Sequence, residues 1–78
     1  MPSYRFILDA VKYMYQTVTV EEDGEEVAEL DMSGPIIGRY NSEKLQEVLG
    51  YTDYVNLMVD GIVAEIEADE PLTFFQPK

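Results

Sequence analysis

The sequence predicts a small α+β domain with an antiparallel sheet of about four strands and one or two short helices on one face. Two stretches alternate apolar and polar residues on either side of an acidic-glycine turn, which is typical of β-hairpins. Two other stretches repeat apolar residues at helical spacing. At 78 residues the chain is expected to form one domain over residues 1–78, because so small a core is not divided further.

The first segment, SYRFILDAVKYM, is compatible with two structures. Its apolar residues from Phe6 to Met14 recur at helical spacing, which favours a helix capped at Ser3. The same segment also permits a strand in which Phe6, Leu8 and Ala10 share one face. We favour the helix.

The next stretch, VTVEEDGEEVAEL, predicts a hairpin whose register depends on its loop. A two-residue Asp23-Gly24 loop would place Val18 opposite Glu29 and set the apolar faces out of phase. A three-residue loop, Glu22–Gly24, with a bulge at Gly24, pairs Val18 with Ala28. We predict the three-residue loop.

A connection, SGPIIGRY, leads to a short helix. Asn41 or Ser42 is the expected N-cap of this helix, and Gly50 is the expected residue at its end. Leu45 and Leu49 are expected to face the core.

The stretch YVNLMVDGIVAEIEA predicts a second hairpin around a type I′ turn at Asp60-Gly61. The two-residue loop pairs Leu57 with Ala64 on the apolar face and places Tyr54 opposite Glu67 on the polar face. The tail, LTFFQPK, is apolar enough to dock on the domain or to add a last short strand.

Composition excludes several functions. The chain has no cysteine and no histidine, which excludes disulfides, thiol chemistry, imidazole catalysis and Cys/His zinc sites. Neither an EF-hand nor a phosphate-binding loop is present, so we expect no metal and no cofactor. The carboxylates fall on turns and polar strand faces and not in a cleft, so we expect no enzymatic activity.

Net charge indicates the kind of partner. Sixteen acidic and five basic residues give a net charge of −11, which repels nucleic acid and anionic membranes and attracts basic protein surfaces. No apolar run is long enough to span a bilayer, and the N-terminal segment lacks a clear signal-peptide cleavage site. We therefore expect a cytoplasmic protein that binds neither nucleic acid directly nor membrane.

The negative charge is concentrated in two clusters, one in each predicted hairpin. The first cluster comprises the acidic residues from Glu21 to Asp31, and the second comprises those from Glu65 to Glu70. Alternate residues on one face of a strand are ~6.6 Å apart, so a row of such carboxylates resembles a phosphate backbone. A tyrosine beside them suits an arginine of a partner. The predicted partner-binding residues are Glu21, Glu22, Asp23, Glu25, Glu26, Glu29, Asp31, Tyr54, Glu65, Glu67, Asp69 and Glu70.

By size and charge the chain resembles the broad class of small acidic inhibitors encoded by phages, such as anti-CRISPR, anti-restriction and glycosylase-inhibiting proteins. The resemblance implies a protein that evades host defence by blocking nucleic-acid-handling machinery. We therefore predict a non-enzymatic inhibitor, a nucleic-acid mimic that docks on the basic nucleic-acid-binding surface of a partner protein.

Three alternatives stay open. A structural or assembly module would form homo-oligomers, such as a homodimer, or join a larger complex through apolar secondary contacts at Ile36, Ile37, Phe74 and Phe75. The carboxylates would otherwise serve only solubility. An acid-rich protein adapted to high salt would unfold cooperatively when salt is removed.

Overall fold

The computed structural model describes residues 1–10 and 16–74, and it contains one antiparallel sheet and two helices. Strand order in the sheet is β3-β2-β1-β4, which confirms the predicted α+β class and the number of strands. The elements in chain order are β1 (Ser3–Ala10), β2 (Gln16–Glu22), β3 (Glu25–Asp31), α1 (Ile37–Leu49), α2 (Tyr51–Asp60) and β4 (Ala64–Glu67).

The first segment is strand β1, so the favoured helix is wrong over residues 3–10 and the alternative strand is confirmed there. Tyr4 and Phe6 are buried and Leu8 packs against the core, so alternate residues share one face. β1 pairs with β2 on one side and with β4 on the other. Its backbone hydrogen bonds are thus made between strands, where a helix would make them internally. The predicted helix end at residues 11–14 lies outside the described residues.

The first hairpin is present, but the predicted three-residue loop is wrong. Asp23 and Gly24 form a two-residue loop, and both have positive φ angles, 51° and 91°, as a type I′ turn requires. The register then shifts by one residue between Glu21 and Val20, which leaves Val27 as the extra residue of a β-bulge. The bulge restores the phase that a plain two-residue loop would lose, because Val20 lies opposite Ala28.

Helix α1 begins at Ile37, five residues before the predicted cap at Ser42. Neither Asn41 nor Ser42 is an N-cap, because both lie inside the helix. Asn41 is buried, and its Nδ2 donates to the Asp31 carbonyl oxygen at 2.8 Å, which joins α1 to the end of β3. Gly50 ends the helix as predicted, with a φ of 84° that side chains disfavour.

The second hairpin is wrong, because residues Tyr51–Asp60 form helix α2. Gly61 is left-handed, and its N–H donates to the Leu57 carbonyl at 3.1 Å, so it ends a helix and does not form a hairpin turn. Leu57 is buried among core residues. Only the second half of the predicted hairpin is a strand, and β4 pairs with β1.

The core lies between one face of the sheet and the two helices. It joins Tyr4, Phe6, Val18, Val20 and Leu30 of the sheet to three helix leucines, Leu45, Leu49 and Leu57. The tail docks on this core as far as it is described, since the rings of Phe74 and Phe6 meet edge to face with centroids 6.0 Å apart. Within the described ranges, neither helix has the length and hydropathy needed to cross a membrane.

Replacing Gly38 by alanine tests the close approach of α1 to the end of β3. A Cβ atom at this buried position would lie 2.8 Å from the Met32 carbonyl oxygen, so the backbone must shift. We expect Gly38→Ala to lower the free energy of unfolding by about 1–3 kcal/mol, although alanine favours a helix. Urea unfolding measures the change, and Gly34→Ala, with no contact closer than 3.7 Å, is the control. Equal stability of the two variants would contradict the packing.

Candidate protein-binding surface

The sheet face opposite the helices, called here the outer face, carries most of the predicted acidic residues. Side chains alternate across a strand, and the core side chains occupy the other face. The outer face therefore holds the alternate set of each strand: Ser3, Arg5, Ile7, Asp9, Thr17, Thr19, Glu21, Glu26, Glu29, Asp31, Glu65 and Glu67.

The structure brings the two acidic clusters together across β1. Arg5 lies opposite Glu21 of β2 and opposite Glu65 of β4, while Glu21 lies opposite Glu26 of β3. One row across the four strands therefore carries three carboxylates and one guanidinium. Neighbouring strands are ~4.8 Å apart, so the row places its like charges close together.

Arg5 only partly offsets this charge. Its Nε lies 3.6 Å from Oε1 of Glu65, and the two side chains are 53% and 71% exposed. Exposed ion pairs of this kind contribute about 0–1 kcal/mol. Arg5 and Asp9 were not predicted as members of this surface because the favoured helix placed them on a helix face. The alternative strand, with Phe6 and Leu8 on its inner face, would have placed both on the outer face.

An open cleft of about 470 Å³ is lined by the start of β1, by the hairpin turn and by β4. Arg5 lines it together with four carboxylate residues, Glu21, Asp23, Glu65 and Glu67. Members of both predicted clusters thus line one concave surface. The chemistry that this arrangement favours is the binding of cationic groups.

Glu22 has a structural role that its place in the acidic turn did not suggest. It follows Val18 and Val20 in alternation, so it belongs to the core side of β2. The Tyr4 hydroxyl donates to the Glu22 carboxylate and accepts the N–H of Leu72 at 2.7 Å. Burial and then the hydrogen bond with Glu22 raise the pKa of the Tyr4 phenol. This contact joins β1, β2 and the tail.

Asp23 is likewise bonded to the start of β1. Its Oδ1 accepts the N–H of Ser3 at 3.0 Å, and its own N–H donates to the Ser3 carbonyl at 2.8 Å. The two bonds hold the tip of the hairpin against β1. The carboxylates of the turn therefore do not all extend freely into solvent.

Asp31 holds the turn that follows β3. Its Oδ1 accepts the Ser33 hydroxyl at 2.7 Å and the Ser33 N–H at 2.8 Å. These hydrogen bonds, with the side-chain bond the larger contributor, lower the pKa of the Asp31 carboxyl. An aspartate carboxylate that accepts hydrogen bonds from the residue two positions later stabilises an Asx-type turn.

The other predicted partner-binding residues are either exposed carboxylates or packed against the core. Glu25, Glu29, Asp69 and Glu70 are exposed. Tyr54 lies on α2 and packs against the core, so its predicted place opposite Glu67 is wrong.

The predicted apolar contacts differ in exposure. Ile36 is 73% exposed, Ile37 is half-buried at the start of α1, and Phe74 packs on the core. Phe75 lies outside the described residues.

Comparisons with other proteins assign neither a family nor a function to this chain. Neither protein-family models nor curated proteins nor solved structures gave a match. In residues 1–10 and 16–74, no three acidic side chains converge as metal ligands would. The candidate surface therefore rests on geometry and charge.

Tyr4→Phe tests the contact that joins three segments. The variant leaves the Glu22 carboxylate and the Leu72 N–H without this partner, so we expect a loss of about 1–3 kcal/mol at neutral pH. Because the folded state raises the Tyr4 pKa, this stabilisation is present below the unfolded pKa of ~10 and disappears as pH rises through the folded pKa. Urea midpoints from pH 7 to about 11 measure it. A stability difference that stays constant over this range would contradict the assignment.

Asp31→Ala tests the turn after β3. The variant loses both bonds to Ser33, and we expect it to be about 1 kcal/mol less stable at pH 7. Since folding lowers the Asp31 pKa, the stabilisation is present above the unfolded pKa of ~3.9 and is lost as pH falls through the folded pKa. Thermal unfolding between pH 7 and about 2 should show the two proteins converging. Divergence on acidification would refute the sign of the shift.

Proposed function

We propose that this protein is a non-enzymatic inhibitor whose acidic outer face docks on the basic nucleic-acid-binding surface of a partner protein. The observation that carries the proposal is the outer face, which no other described residues cover and on which carboxylates of three strands lie in one row with Arg5. Electrostatic attraction to a basic surface accelerates association and selects partners.

The one-sided arrangement of the sheet supports the proposal. Both helices lie on the core side, so the described part of the chain leaves the outer face open. Arg39 and Lys44 belong to α1 and do not offset the charge of the strands. A surface designed only for solubility intersperses both signs, whereas this face is mostly negative.

The spacing of the carboxylates supports mimicry of nucleic acid. Glu65 and Glu67 are alternate residues of β4 and lie ~6.6 Å apart along the strand, and Glu29 and Asp31 repeat that spacing on β3. Two such rows run along the two outermost strands of the sheet. A groove that binds phosphates through lysine and arginine offers charges complementary to both rows.

The test compares two variants that remove equal charge. The outer-face variant carries Glu26→Gln, Glu29→Gln and Glu65→Gln, and the helix-face variant carries Glu43→Gln, Glu47→Gln and Asp60→Asn. All six positions are exposed. Each immobilised protein is incubated with a lysate of the source cells, and retained proteins are eluted with increasing NaCl or with double-stranded DNA.

We expect the wild type and the helix-face variant to retain the same basic protein, and the outer-face variant to retain about tenfold less. Rising salt should release the partner because it screens the contact, and DNA should displace it by competition. If both variants retained the same amount of the partner, the position of the removed carboxylates would not matter, and this would contradict the docking surface. Displacement by salt but not by DNA would exclude the nucleic-acid-binding surface of the partner.

A further inference from the structure

The two outermost strands of the sheet differ in how well their free edges are protected. On β3, Met32 N–H donates to the Gln16 carbonyl at 2.9 Å, so by alternation the Asp31 carbonyl points away from β2. Asn41 Nδ2 binds that carbonyl. The bulge at Val27 interrupts the same edge. A capped and bulged edge resists pairing with another strand.

The edge of β4 lacks these features. Ala68 N–H donates to the Pro2 carbonyl at 3.0 Å, so alternation directs the N–H and C=O groups of Ile66 toward β1 and those of Glu65 and Glu67 away from it. Within the described part of the chain, β4 is outermost and no strand pairs with its other side. An open edge of this kind can accept an additional strand.

Exposed apolar residues lie near the end of α2 and in the segment that leads into β4. Val59 and Ile62 are 74% and 54% exposed, and Val63 is also exposed. Ile62, Val63 and Ala64 form the apolar part of a groove of about 150 Å³ between α2 and β4, and Asp53, Asn56 and Glu65 form its polar part. A strand laid along β4 would direct alternate side chains to this groove and to the outer face.

We propose that an extended basic segment of the partner pairs with the free edge of β4. The inference rests on the proposed function and names its mode of contact: backbone hydrogen bonds to Glu65 and Glu67, cationic side chains on the outer face and apolar side chains against Ile62 and Val63. Charge complementarity selects this occupant. A second copy would bring two chains of net charge −11 together and place glutamates near glutamates, which is unfavourable.

A pair of substitutions at one position separates backbone pairing from charge. Glu65→Gln removes the carboxylate alone, whereas Glu65→Pro also removes an N–H that points away from β1. Proline is tolerated at an edge position because it breaks no bond of the existing ladder. The probe is a short synthetic peptide of alternating arginine and valine. The control is the same peptide with every backbone nitrogen methylated, which carries the same charge but has no backbone N–H to donate to β4.

We expect the arginine-valine peptide to bind Glu65→Pro about five- to tenfold more weakly than Glu65→Gln, which is the loss that one hydrogen bond produces. In the wild type, it should slow hydrogen exchange of the Glu65 and Glu67 amides. The methylated peptide should not slow this exchange. Circular dichroism of each variant establishes that it is folded, and if Glu65→Pro unfolds, the exchange measurement on the wild type decides.

Strand pairing would be overturned if the two variants bound the arginine-valine peptide equally weakly. It would also be overturned if the peptide did not slow exchange of the Glu65 and Glu67 amides. If these amides exchanged more slowly at higher protein concentration in the absence of peptide, a second copy would be the occupant, and the proposed partner segment would be ruled out. If strand pairing fails while the outer-face variant still loses its partner and the helix-face variant does not, the proposed function stands without this mode of contact.

Discussion

The pairing of β1 with both β2 and β4 is the constraint on which the structure depends. β1 is an inner strand of the sheet, and it supplies Tyr4 and Phe6 to the core. The Tyr4 hydroxyl also connects β1 to Glu22 and to Leu72. Since strands from both ends of the chain meet on β1, the two acidic segments become neighbours only when this strand is in place.

In residues 1–10 and 16–74, the sheet is covered on one side only. With few residues available, the chain places both helices and the tail on the face that carries the apolar side chains, because one core is what so short a chain can bury. The carboxylates on the other face repel one another, and salt bridges as exposed as the pair of Arg5 and Glu65 do little to relieve this. The proposed basic partner would relieve this repulsion on binding.

Local patterns predicted some elements correctly and failed where two periods fit the same residues. The first hairpin was predicted because its alternation has no helical rival, yet its register required the bulge at Val27, which no local signal marked. In YVNLMVDG, Leu57 suits the inner face of a strand and equally the buried face of a helix. Gly61 serves equally as a hairpin turn and as a helix end, since both need a positive φ. Tertiary packing against β1 and β4 selected the helix.

The sequence alone determined the α+β class, the negative charge and the identity of the acidic residues, because composition and alternation do not depend on distant contacts. Tertiary structure decided their arrangement. It placed Glu21 and Glu65 on either side of Arg5, turned Glu22 toward Tyr4, and fastened Asp23 and Asp31 into turns. These outcomes depend on which strands pair and in which register, and pairing between residues far apart in the chain leaves no signal in the local pattern.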